Sequence, residues 1–394
     1  MSVRLVFVAD GRSPIARSWI EYFVRVEREV SLVSTRPCAG IQGLAALEIV
    51  SLWPGGGGTG ARRQRNLVLV TALRHWLGPS MVRRRAAKLR GILRQWQPDL
   101  VHALRLPFEG MLATAADPAA PLVISTWGND LTLHAPASPM MRWSTRRSLR
   151  RAAGLHSDCR RDEQLAAKWG FRAVRPTLVI PGNGGVRREA FFAGRRANDA
   201  DFGIEPRAPV VVQPRGLRAY VRSDTFFRAI PLIRQQRPEV VFACPAMDGA
   251  AEAESWRSKL DLGHSLRLLP ALDAASMGAL FRRAAVSVSP STHDGTPNTL
   301  LEAMACGCLP VAGDLDSIRE WITDGENGLL VDPADESALA AAVLRGLSDE
   351  ELRAKAAEIN KRRIAERAEY DRCMTQAASF YERVLRGGAD VDAL

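Results

Sequence analysis

Residues 289–311, which read SPSTHDGTPNTLLEAMACGCLPV, decide the fold of this chain. They overlap a run of small and β-branched residues, AAVSVSPS at 284–291, that is typical of a buried strand. From Thr299 onwards the residues are strong helix formers, and Pro297 suits the first turn of a helix. The segment therefore predicts a strand, a turn and a helix in succession, as in a parallel α/β sheet.

Two carboxylates flank the predicted turn. Asp294 precedes the helix, and Glu302 lies eight residues later, about one turn inside it. Free backbone N–H groups and the helix dipole favour an anion such as a diphosphate at this end of a helix. The alternative is a helix-capping Asp beside a surface Glu, and the carboxylate spacing alone does not decide between the two. We expect an anion site made of both carboxylates and the residues between them: Gly295, Thr296, Pro297, Asn298 and Thr299.

Short apolar strands alternate with helices along both halves of the chain. Their apolar runs lack a clean polar alternation, as expected for parallel strands covered on both faces. Strands are predicted at 3–8, 30–34, 99–102, 122–126 and 177–180, and again at 210–212, 240–244, 266–269, 285–289, 309–311 and 328–331. Helices are predicted to include one that ends at Val26 and those at 83–96, 140–153, 349–365 and 370–386. The alternation predicts two doubly wound, Rossmann-like sheets.

The predicted domain break is the polar segment 194–208. We therefore predict a first domain at 1–195, a second at 207–368, and a final helical segment at 369–394. In doubly wound sheets ligands bind beyond the carboxyl ends of the strands, here in a cleft between the two domains. At 394 residues the chain is longer than a single hydrophobic core usually supports.

Charge and composition limit the class of protein. Residues 1–200 contain 31 Lys and Arg against 14 Asp and Glu, whereas residues 201–394 contain 23 against 29. This asymmetry predicts a separate anionic partner for the first half. No pair among the six cysteines has the CxxC spacing of a zinc site, and the N-terminal apolar run predicts a first strand rather than a signal peptide. No apolar run approaches the ~20 residues that span a bilayer, so we expect a cytoplasmic protein.

The turn segment resembles the E-x7-E signature of the retaining nucleotide-sugar glycosyltransferases of family 4. Segments at 98–102 (PDLVH), 179–186 (VIPGNGGV) and 325–331 (GENGLLV) are similar to the family at matching places. The resemblance implies the GT-B fold, with two Rossmann-like domains facing a central cleft and a last helix that crosses back to the first domain. It further implies that Asp294, where the family usually has Glu, binds donor-sugar hydroxyls, that Glu302 binds the ribose, and that the backbone between them holds the diphosphate.

The segment 213–222, QPRGLRAYVR, follows the first strand of the second domain. The family has two cations here that clamp the donor diphosphate, and Arg215 matches the first. For the second we favour Arg222 over Arg218. Cations at this position would stabilise charge that gathers on the leaving phosphate, so we assign Arg215 and Arg222 to catalysis as well as to donor binding. We assign Asp294 to both roles as well, because the resemblance places it at the donor sugar. The alternative is a solvated basic loop.

The first domain matches the family less closely. In 124–130, ISTWGND, Trp127 stands where the family has a His, so we assign it a binding role and no general base. Asp130 either binds an acceptor hydroxyl or caps the next helix, and His134 is a candidate substitute for the missing imidazole. The family's N-terminal glycine pair is reduced to Gly11, which we keep as a donor-binding candidate.

Residues 62–96 form a basic segment in which ten Lys and Arg alternate with Leu, Val and Trp. This composition is typical of a helix or loop on an anionic surface, and we favour a membrane surface or a lipid-phosphate acceptor. The alternative is a solvated helix whose apolar stripe packs inside the domain, as part of 83–96 is expected to do. No recognised nucleic-acid fold is present, so nucleic acid is not an expected partner.

The sequence therefore predicts a retaining, metal-independent glycosyltransferase with no cofactor and a nucleotide-diphosphate sugar as donor. A lipid-linked or glycan acceptor at the cytoplasmic face of the membrane is preferred. One alternative is a soluble transferase that decorates a small metabolite, and another is a non-catalytic anion-binding protein on the same fold. The nucleotide base, the sugar and the acceptor stay open.

Overall fold

The computed structural model describes residues 3–26, 28–52, 67–194, 202–205 and 207–389. The chain divides into two compact units. Unit 1 comprises Met1–Gly184 together with Asp371–Leu394, and unit 2 comprises Gly185–Tyr370. Each unit contains its own parallel β-sheet with helices packed against it, as predicted for doubly wound domains.

Unit 1 is built on a seven-stranded sheet with the strand order β3-β2-β1-β4-β5-β6-β7, and every pairing is parallel. The strands are β1 (Arg4–Ala9), β2 (Glu29–Ser34), β3 (Ala46–Ile49), β4 (Leu100–Ala103), β5 (Leu122–Thr126), β6 (Gly154–Ser157) and β7 (Thr177–Val179). The helices of its first segment are α1 (Pro14–Arg25), α2 (Leu67–Trp96), α3 (Met111–Ala116), α4 (Pro139–Arg151) and α5 (Arg160–Trp169).

Unit 2 is built on a six-stranded parallel sheet with the order β10-β9-β8-β11-β12-β13. Its strands are β8 (Val210–Val212), β9 (Val241–Cys244), β10 (Leu266–Leu268), β11 (Val286–Ser289), β12 (Leu309–Gly313) and β13 (Leu329–Val331). Its helices are α6 (Arg188–Phe191), α7 (Ser223–Gln236), α8 (Ala251–Lys259), α9 (Ala274–Arg283), α10 (Asn298–Ala305), α11 (Asp316–Arg319), α12 (Glu336–Ser348) and α13 (Glu350–Arg367).

The last helix, α14 (Tyr370–Ala389), packs on unit 1, as the resemblance implied. Its anchor is Tyr381, whose hydroxyl accepts a hydrogen bond of 2.8 Å from Trp19 Nε1 and lies 2.5 Å from His102 Nδ1. The Tyr381 ring stacks on Phe23 of α1 with 4.8 Å between the ring centroids. The chain therefore returns to unit 1 after completing unit 2.

From Tyr381 a buried chain of hydrogen bonds crosses the sheet of unit 1. His102 Nε2 lies 2.8 Å from Ser125 Oγ, which in turn lies 2.8 Å from His156 Nδ1. His156 Nε2 lies 3.0 Å from the carbonyl oxygen of Ile180. We call this series, from Trp19 to Ile180, the buried histidine chain.

The two ends of the buried histidine chain fix the direction of every proton in it. The indole of Trp19 can only donate, and the carbonyl of Ile180 can only accept. With both imidazoles neutral, each hydroxyl and each imidazole between these ends accepts one hydrogen bond and donates the next, which places the proton of both rings on Nε2. Burial agrees, because it lowers the pKa of His156 to about 4 and holds that of His102 well below its usual value.

Helix α2 runs through a proline that would ordinarily interrupt it. Pro79 has no N–H to offer the carbonyl of His75 one turn earlier. The hydroxyl of Ser138 donates to that carbonyl instead, at 2.9 Å. The predicted helix at 83–96 therefore begins earlier, at Leu67.

Helix α2 belongs to the predicted basic segment, although residues 62–66 of that segment lie outside the described residues. The apolar stripe of this helix packs inside the domain, as the alternative interpretation expected. Val82, Leu89 and Leu93 are buried in the core of unit 1. No helix of the described ranges is both long and apolar enough to cross a bilayer.

The other predicted elements agree with the structure, with shifts of a few residues at their ends, but β3 and β6 were not predicted. The predicted break at 194–208 lies partly outside the described residues, and the compact units divide at Gly184 instead. Residues after Gly184 join unit 2 because Val186 N donates to Ala368 O at 2.7 Å and Tyr370 N donates to Val186 O at 3.1 Å.

Candidate functional site

In unit 2, the structure brings together the first cation and the first carboxylate that the sequence predicted. Arg215, in the loop after β8, forms an ion pair with Asp294, in the turn after β11, with 2.9 Å between Nη2 and Oδ2. The two side chains are only 10% and 12% exposed, so the pair is shielded from water. Shielding strengthens the attraction between such charges and makes separating them without a replacement partner costly.

The side chain of Gln213 holds the loop that carries Arg215 through hydrogen bonds to the loop backbone. This side chain is fully buried, and its Oε1 accepts from Arg215 N at 3.3 Å while its Nε2 donates to Gly216 O at 3.4 Å. The same loop is tied to the turn after β11 through Tyr220, whose carbonyl accepts from Thr292 N at 2.8 Å. These contacts fix Arg215 next to Asp294.

The turn itself is supported from the segment after β12. Ser317 Oγ donates to the carbonyl of Asp294 at 2.7 Å, and Trp321 Nε1 donates to Thr296 Oγ1 at 3.1 Å. Gly313 permits this close packing, because a Cβ there would lie 2.4 Å from the carbonyl oxygen of Ser291. The backbone path between Asp294 and helix α10 is therefore fixed by its neighbours.

Helix α10 begins at Asn298, after Pro297, as predicted. The N–H groups of Asn298 and Thr299 belong to its first turn and have no acceptor inside the helix. Thr299 Oγ1 is buried and has no hydrogen-bond partner among the described residues, whereas Asp294 Oδ2 is held by Arg215. Donors and acceptors thus remain available along the predicted donor-binding segment, which includes Gly295.

Glu302 lies one turn into α10, near enough to Arg215 to be affected by its charge. Burial raises the pKa of its carboxyl group to about 7, although the positive charge of Arg215 opposes this shift. By exposed surface the residue is intermediate, so an incoming ligand can reach it. A carboxyl group with this pKa changes its charge near neutral pH when its surroundings change.

The structure does not bring Arg222 to this group. Its guanidinium binds Asp224 in a bidentate pair, with distances of 2.9 Å from Nε and 3.0 Å from Nη2, and this pairing lowers the pKa of Asp224 to about 2. The backbone of Arg222 is left-handed, with φ of 52°, just before α7. Arg218, the alternative second cation, is exposed and donates to Tyr220 Oη at 3.0 Å.

In unit 1, Trp127 lies directly after β5. Its backbone N–H donates to Asp130 Oδ2 at 3.0 Å, and the guanidinium of Arg105 lies 5.7 Å from the centre of its ring. The indole Nε1 is buried with no acceptor among the described residues. Trp127 therefore has a donor available next to Gly182, where a Cβ would approach its ring to 3.4 Å.

The side chain of Asp130 is fully buried rather than open to an acceptor. It accepts from Arg105 Nε at 3.0 Å as well as from Trp127 N, and burial raises its pKa. It does not cap α4, because the hydroxyl of Ser138 accepts from Met141 N there. Asp130 thus positions Trp127.

His134 and Gly11 have local structural partners. His134 Nδ1 lies 3.0 Å from His75 Nε2 on helix α2. The N–H of Gly11 donates to Ser34 Oγ at 3.0 Å, and a Cβ at this position would lie 2.5 Å from Cys38 Sγ. Close packing therefore explains the glycine.

Sequence reasoning missed a buried acidic group after β6, made of Asp158, Cys159 and Asp162. Their possible ligand atoms lie within 4.8 Å of one another. Asp158 accepts from Gly128 N at 3.1 Å, and Arg161 pairs with Asp162 at 2.7 Å. The guanidinium of Arg161 already supplies the positive charge that a metal ion would bring. These side chains therefore fit a role in holding the loop of Trp127 better than they fit a metal site. Asp158 directly follows β6, a strand that no sequence pattern marks, so the sequence offered no signal for this group.

Comparisons with known proteins assign both units. A family model described as glycosyl transferases group 1 matches residues 209–349, and one described as glycosyl transferase 4-like domain matches residues 11–182. The chain belongs to these glycosyltransferases. This confirms the glycosyltransferase family that the sequence resembles, with one family domain in each unit.

Curated relatives share part of the chain. The phosphatidyl-myo-inositol mannosyltransferase of Mycobacterium tuberculosis (strain H37Rv) is 32% identical over 235 residues, which is 58% of this chain and 60% of the relative. That of Mycolicibacterium smegmatis is 35% identical over 178 residues, or 43% of this chain and 45% of the relative. The D-inositol 3-phosphate glycosyltransferase of Geodermatophilus obscurus is 29% identical over 43% of this chain and 40% of the relative. The chain thus matches about half the length of these relatives.

Solved structures confirm the predicted GT-B fold. Sucrose-phosphate synthase from Thermosynechococcus elongatus has a TM-score of 0.77 at 16% identity, covering 98% of this chain and 100% of its own. HepE of Anabaena, solved in complex with UDP-glucose, has a TM-score of 0.73 at 16% identity, covering 97% of this chain and 100% of its own. At these identities the likeness extends to the fold alone.

Proposed function

We propose that this chain is a retaining, metal-independent glycosyltransferase that moves a sugar from a nucleotide-diphosphate sugar to an acceptor hydroxyl. The observation that carries the proposal is the shielded Arg215–Asp294 pair, 2.9 Å apart, beside the first turn of α10. A cation, a carboxylate and a helix N-terminus in one place suit a ligand that has both a diphosphate and sugar hydroxyls.

Each part of the donor has a matching group. The first-turn N–H groups of α10 and the guanidinium of Arg215 suit the diphosphate, and Asp294 suits a hydroxyl of the sugar. Glu302, one turn further along, suits the two ribose hydroxyls. Arg222 contributes a second cation if donor binding draws it away from Asp224. HepE, on the same fold, was solved with UDP-glucose, which is consistent with a donor of this class.

The proposed reaction needs no protein base. The bond between the anomeric carbon and the phosphate oxygen breaks while the acceptor oxygen bonds to that carbon on the same face. The proton of the acceptor hydroxyl passes to the departing phosphate oxygen. Arg215 stabilises the charge that collects on the diphosphate as the bond breaks. Trp127, which cannot accept a proton, instead offers an indole N–H and a ring face for binding a sugar.

A lipid-linked or glycan acceptor at the cytoplasmic face of the membrane fits the charge of the first half of the chain. The relatives named phosphatidyl-myo-inositol mannosyltransferase act, by that name, on a lipid. The side chains of Arg83, Arg84, Arg85 and Lys88 on α2 are exposed and face solvent in unit 1. Cations in this arrangement attract anionic lipid, so we place the protein at the membrane surface.

The test is a screen of UDP-, GDP- and ADP-sugars by thermal shift, followed by donor hydrolysis and analysis of the anomeric product. A nucleotide sugar that is the donor should raise the melting temperature of the protein, and it should be hydrolysed slowly in the absence of acceptor. Arg237→Ala is a suitable control for the variant Arg215→Ala, because Arg237 is a half-exposed arginine of unit 2 that pairs with Glu239 at 2.6 Å. If no nucleotide binds, the enzyme proposal fails. Binding without hydrolysis or transfer to any acceptor would favour the non-catalytic alternative.

A further inference from the structure

A pocket in unit 1 contains none of the predicted site residues. It lies between α2, α3 and α4, has a volume of about 270 Å³, and is walled by apolar side chains that include Val82 and Met111. Three hydroxyl side chains, those of Thr114, Ser144 and Ser148, and three arginines also line it. Its size suits the polar headgroup of a lipid or a small metabolite rather than a nucleotide sugar.

Two unsatisfied hydroxyl groups lie in this pocket. Thr114 is 3% exposed and Ser148 is 1% exposed, and neither hydroxyl oxygen has a hydrogen-bond partner among the described residues. A buried polar group without a partner loses its hydrogen bonds to water without replacement, so buried hydroxyls are usually paired. Two of them lining one pocket indicate a ligand that supplies the missing partners.

The rim of the pocket is cationic. The guanidinium groups of Arg83 and Arg147 lie over the ring of Trp143, at 4.6 and 5.4 Å from its centre. Neither arginine has a carboxylate partner among the described residues, and no acidic side chain lines the pocket. Arg90 differs, because it donates to the carbonyl of Ala116 at the end of α3. The pocket therefore carries at least two uncompensated positive charges, which favour an anion.

Trp143 on the rim is one of several exposed apolar side chains on the neighbouring surface of α2 and α4. Trp143 is 47% exposed, and Met140, one turn before it on α4, is 41% exposed. Met140 contacts Ser80 on α2, and Trp76, one turn before Ser80, is 59% exposed. Tryptophan beside arginine is typical of surfaces that enter the headgroup layer of a membrane.

We propose that this pocket binds the phosphomonoester headgroup of an anionic membrane lipid. The phosphate oxygens accept from the hydroxyls of Thr114 and Ser148 and from the guanidinium groups of Arg83 and Arg147, while Trp143 enters the interface. A phosphomonoester offers three acceptor oxygens and nearly two negative charges, which match these four groups. The inference rests on the membrane location given under the proposed function, and it adds a specific lipid site to it.

The test compares vesicles that contain phosphatidic acid with vesicles that contain phosphatidylserine at equal surface charge. We expect the wild-type protein to prefer phosphatidic acid by about tenfold, the equivalent of one good hydrogen bond to a charged group. The charge-neutral double variant Thr114→Val, Ser148→Ala should lose this preference without a fall in melting temperature, because neither hydroxyl has a partner to lose. The double variant Arg83→Gln, Arg147→Gln should lose it as well.

A matched control separates the pocket from general charge. Arg84→Gln, Arg85→Gln removes the same charge from exposed neighbours that do not line the pocket, so it should weaken binding to both kinds of vesicle equally and keep the preference. The inference is overturned if the wild type shows no preference, or if the hydroxyl variant keeps it. It is also overturned if glycerol 3-phosphate raises the melting temperature while no vesicle binds, since the ligand would then be a soluble phosphate ester.

The outcome is independent of the donor screen. A pocket-dependent preference in a protein that binds no nucleotide would support the lipid site and refute the proposed enzyme. Donor hydrolysis by a protein that shows no lipid preference would support the proposed enzyme and refute the lipid site.

Discussion

Acid should weaken unit 1 through the buried histidine chain. His156 is neutral in the folded protein, where its pKa is about 4, and an unfolded chain restores the ordinary value of 6.5. The unfolded state therefore binds more protons between these two pH values, so stability is complete above about pH 6.5 and is lost as the pH falls towards 4. At about 1.4 kcal/mol for each pKa unit, the loss over the whole window is about 3 kcal/mol from His156 alone.

The variant His156→Gln isolates this effect. Glutamine keeps one acceptor for Ser125 and one donor for Ile180 but does not titrate. Hydrogen exchange of β6 and α14, corrected for the intrinsic effect of pH, gives the local opening free energy of unit 1. Between about pH 7 and pH 5 we expect the wild type to lose about 2 kcal/mol more than the variant does.

Two results would refute this reasoning. One is a wild type and variant whose opening free energies depend on pH to the same extent. The other is an NMR spectrum of the folded protein at about pH 6 in which the His156 ring is an imidazolium, because a charged ring would donate from both nitrogens and break the chain at Ser125.

Four further predictions concern single side chains. Tyr381→Phe leaves Trp19 Nε1 without an acceptor, so the exchange protection of α14 should fall by about 1–3 kcal/mol, and an unchanged α14 would contradict the anchor. Glu302→Gln should weaken nucleotide binding by about 1.5–3 kcal/mol in calorimetry, and it should abolish a loss of affinity that the wild type shows below about pH 7, where Glu302 becomes protonated. Asp294→Asn should depress turnover with little effect on the affinity for free nucleotide, so equal losses of nucleotide affinity in both carboxylate variants would argue against this division of roles. Arg215→Ala should lower kcat by about two to three orders of magnitude under conditions in which circular dichroism shows that the variant is folded. A variant that turns over as fast as the wild type would exclude the proposed role.

The turn after β11 could be predicted because its determinants are local. The strand formers before Pro290, the proline at 297 and the helix formers after Thr299 each favour the observed structure within a few residues of themselves. The proximity of Asp294 to Arg215 follows from topology, since parallel strands end at the same edge of a sheet.

The missed strand β6 depends on residues far away in the sequence. It reads GLHS, and both His156 and Ser157 are completely buried. Their partners come from β5 and from Ile180, so no apolar run or alternation marks the strand. A buried polar strand is stable only when these distant partners are present, and a single-sequence pattern cannot show them.

The direction of Arg222 was equally beyond sequence spacing. Its distance along the chain from Arg215 suited a second cation, but Asp224, two residues later, holds its guanidinium in a bidentate pair. Counting residues predicts where a backbone passes and not which nearby carboxylate captures a long side chain.

The pairing of Val186 with Glu369 gives unit 2 the form of an insertion. The bridge between these residues brings the first and last residues of unit 2 side by side, and the flanking ends of unit 1 are Gly184 and Asp371. A short linker between Gly184 and Asp371 should therefore yield unit 1 as a separate protein that retains Tyr381 in its core. Truncation at Gly184, in contrast, removes α14, so Trp19 Nε1 loses its acceptor, the hydroxyl of Tyr381. By the same geometry, unit 2 should be exchangeable as a cassette between relatives without recutting unit 1.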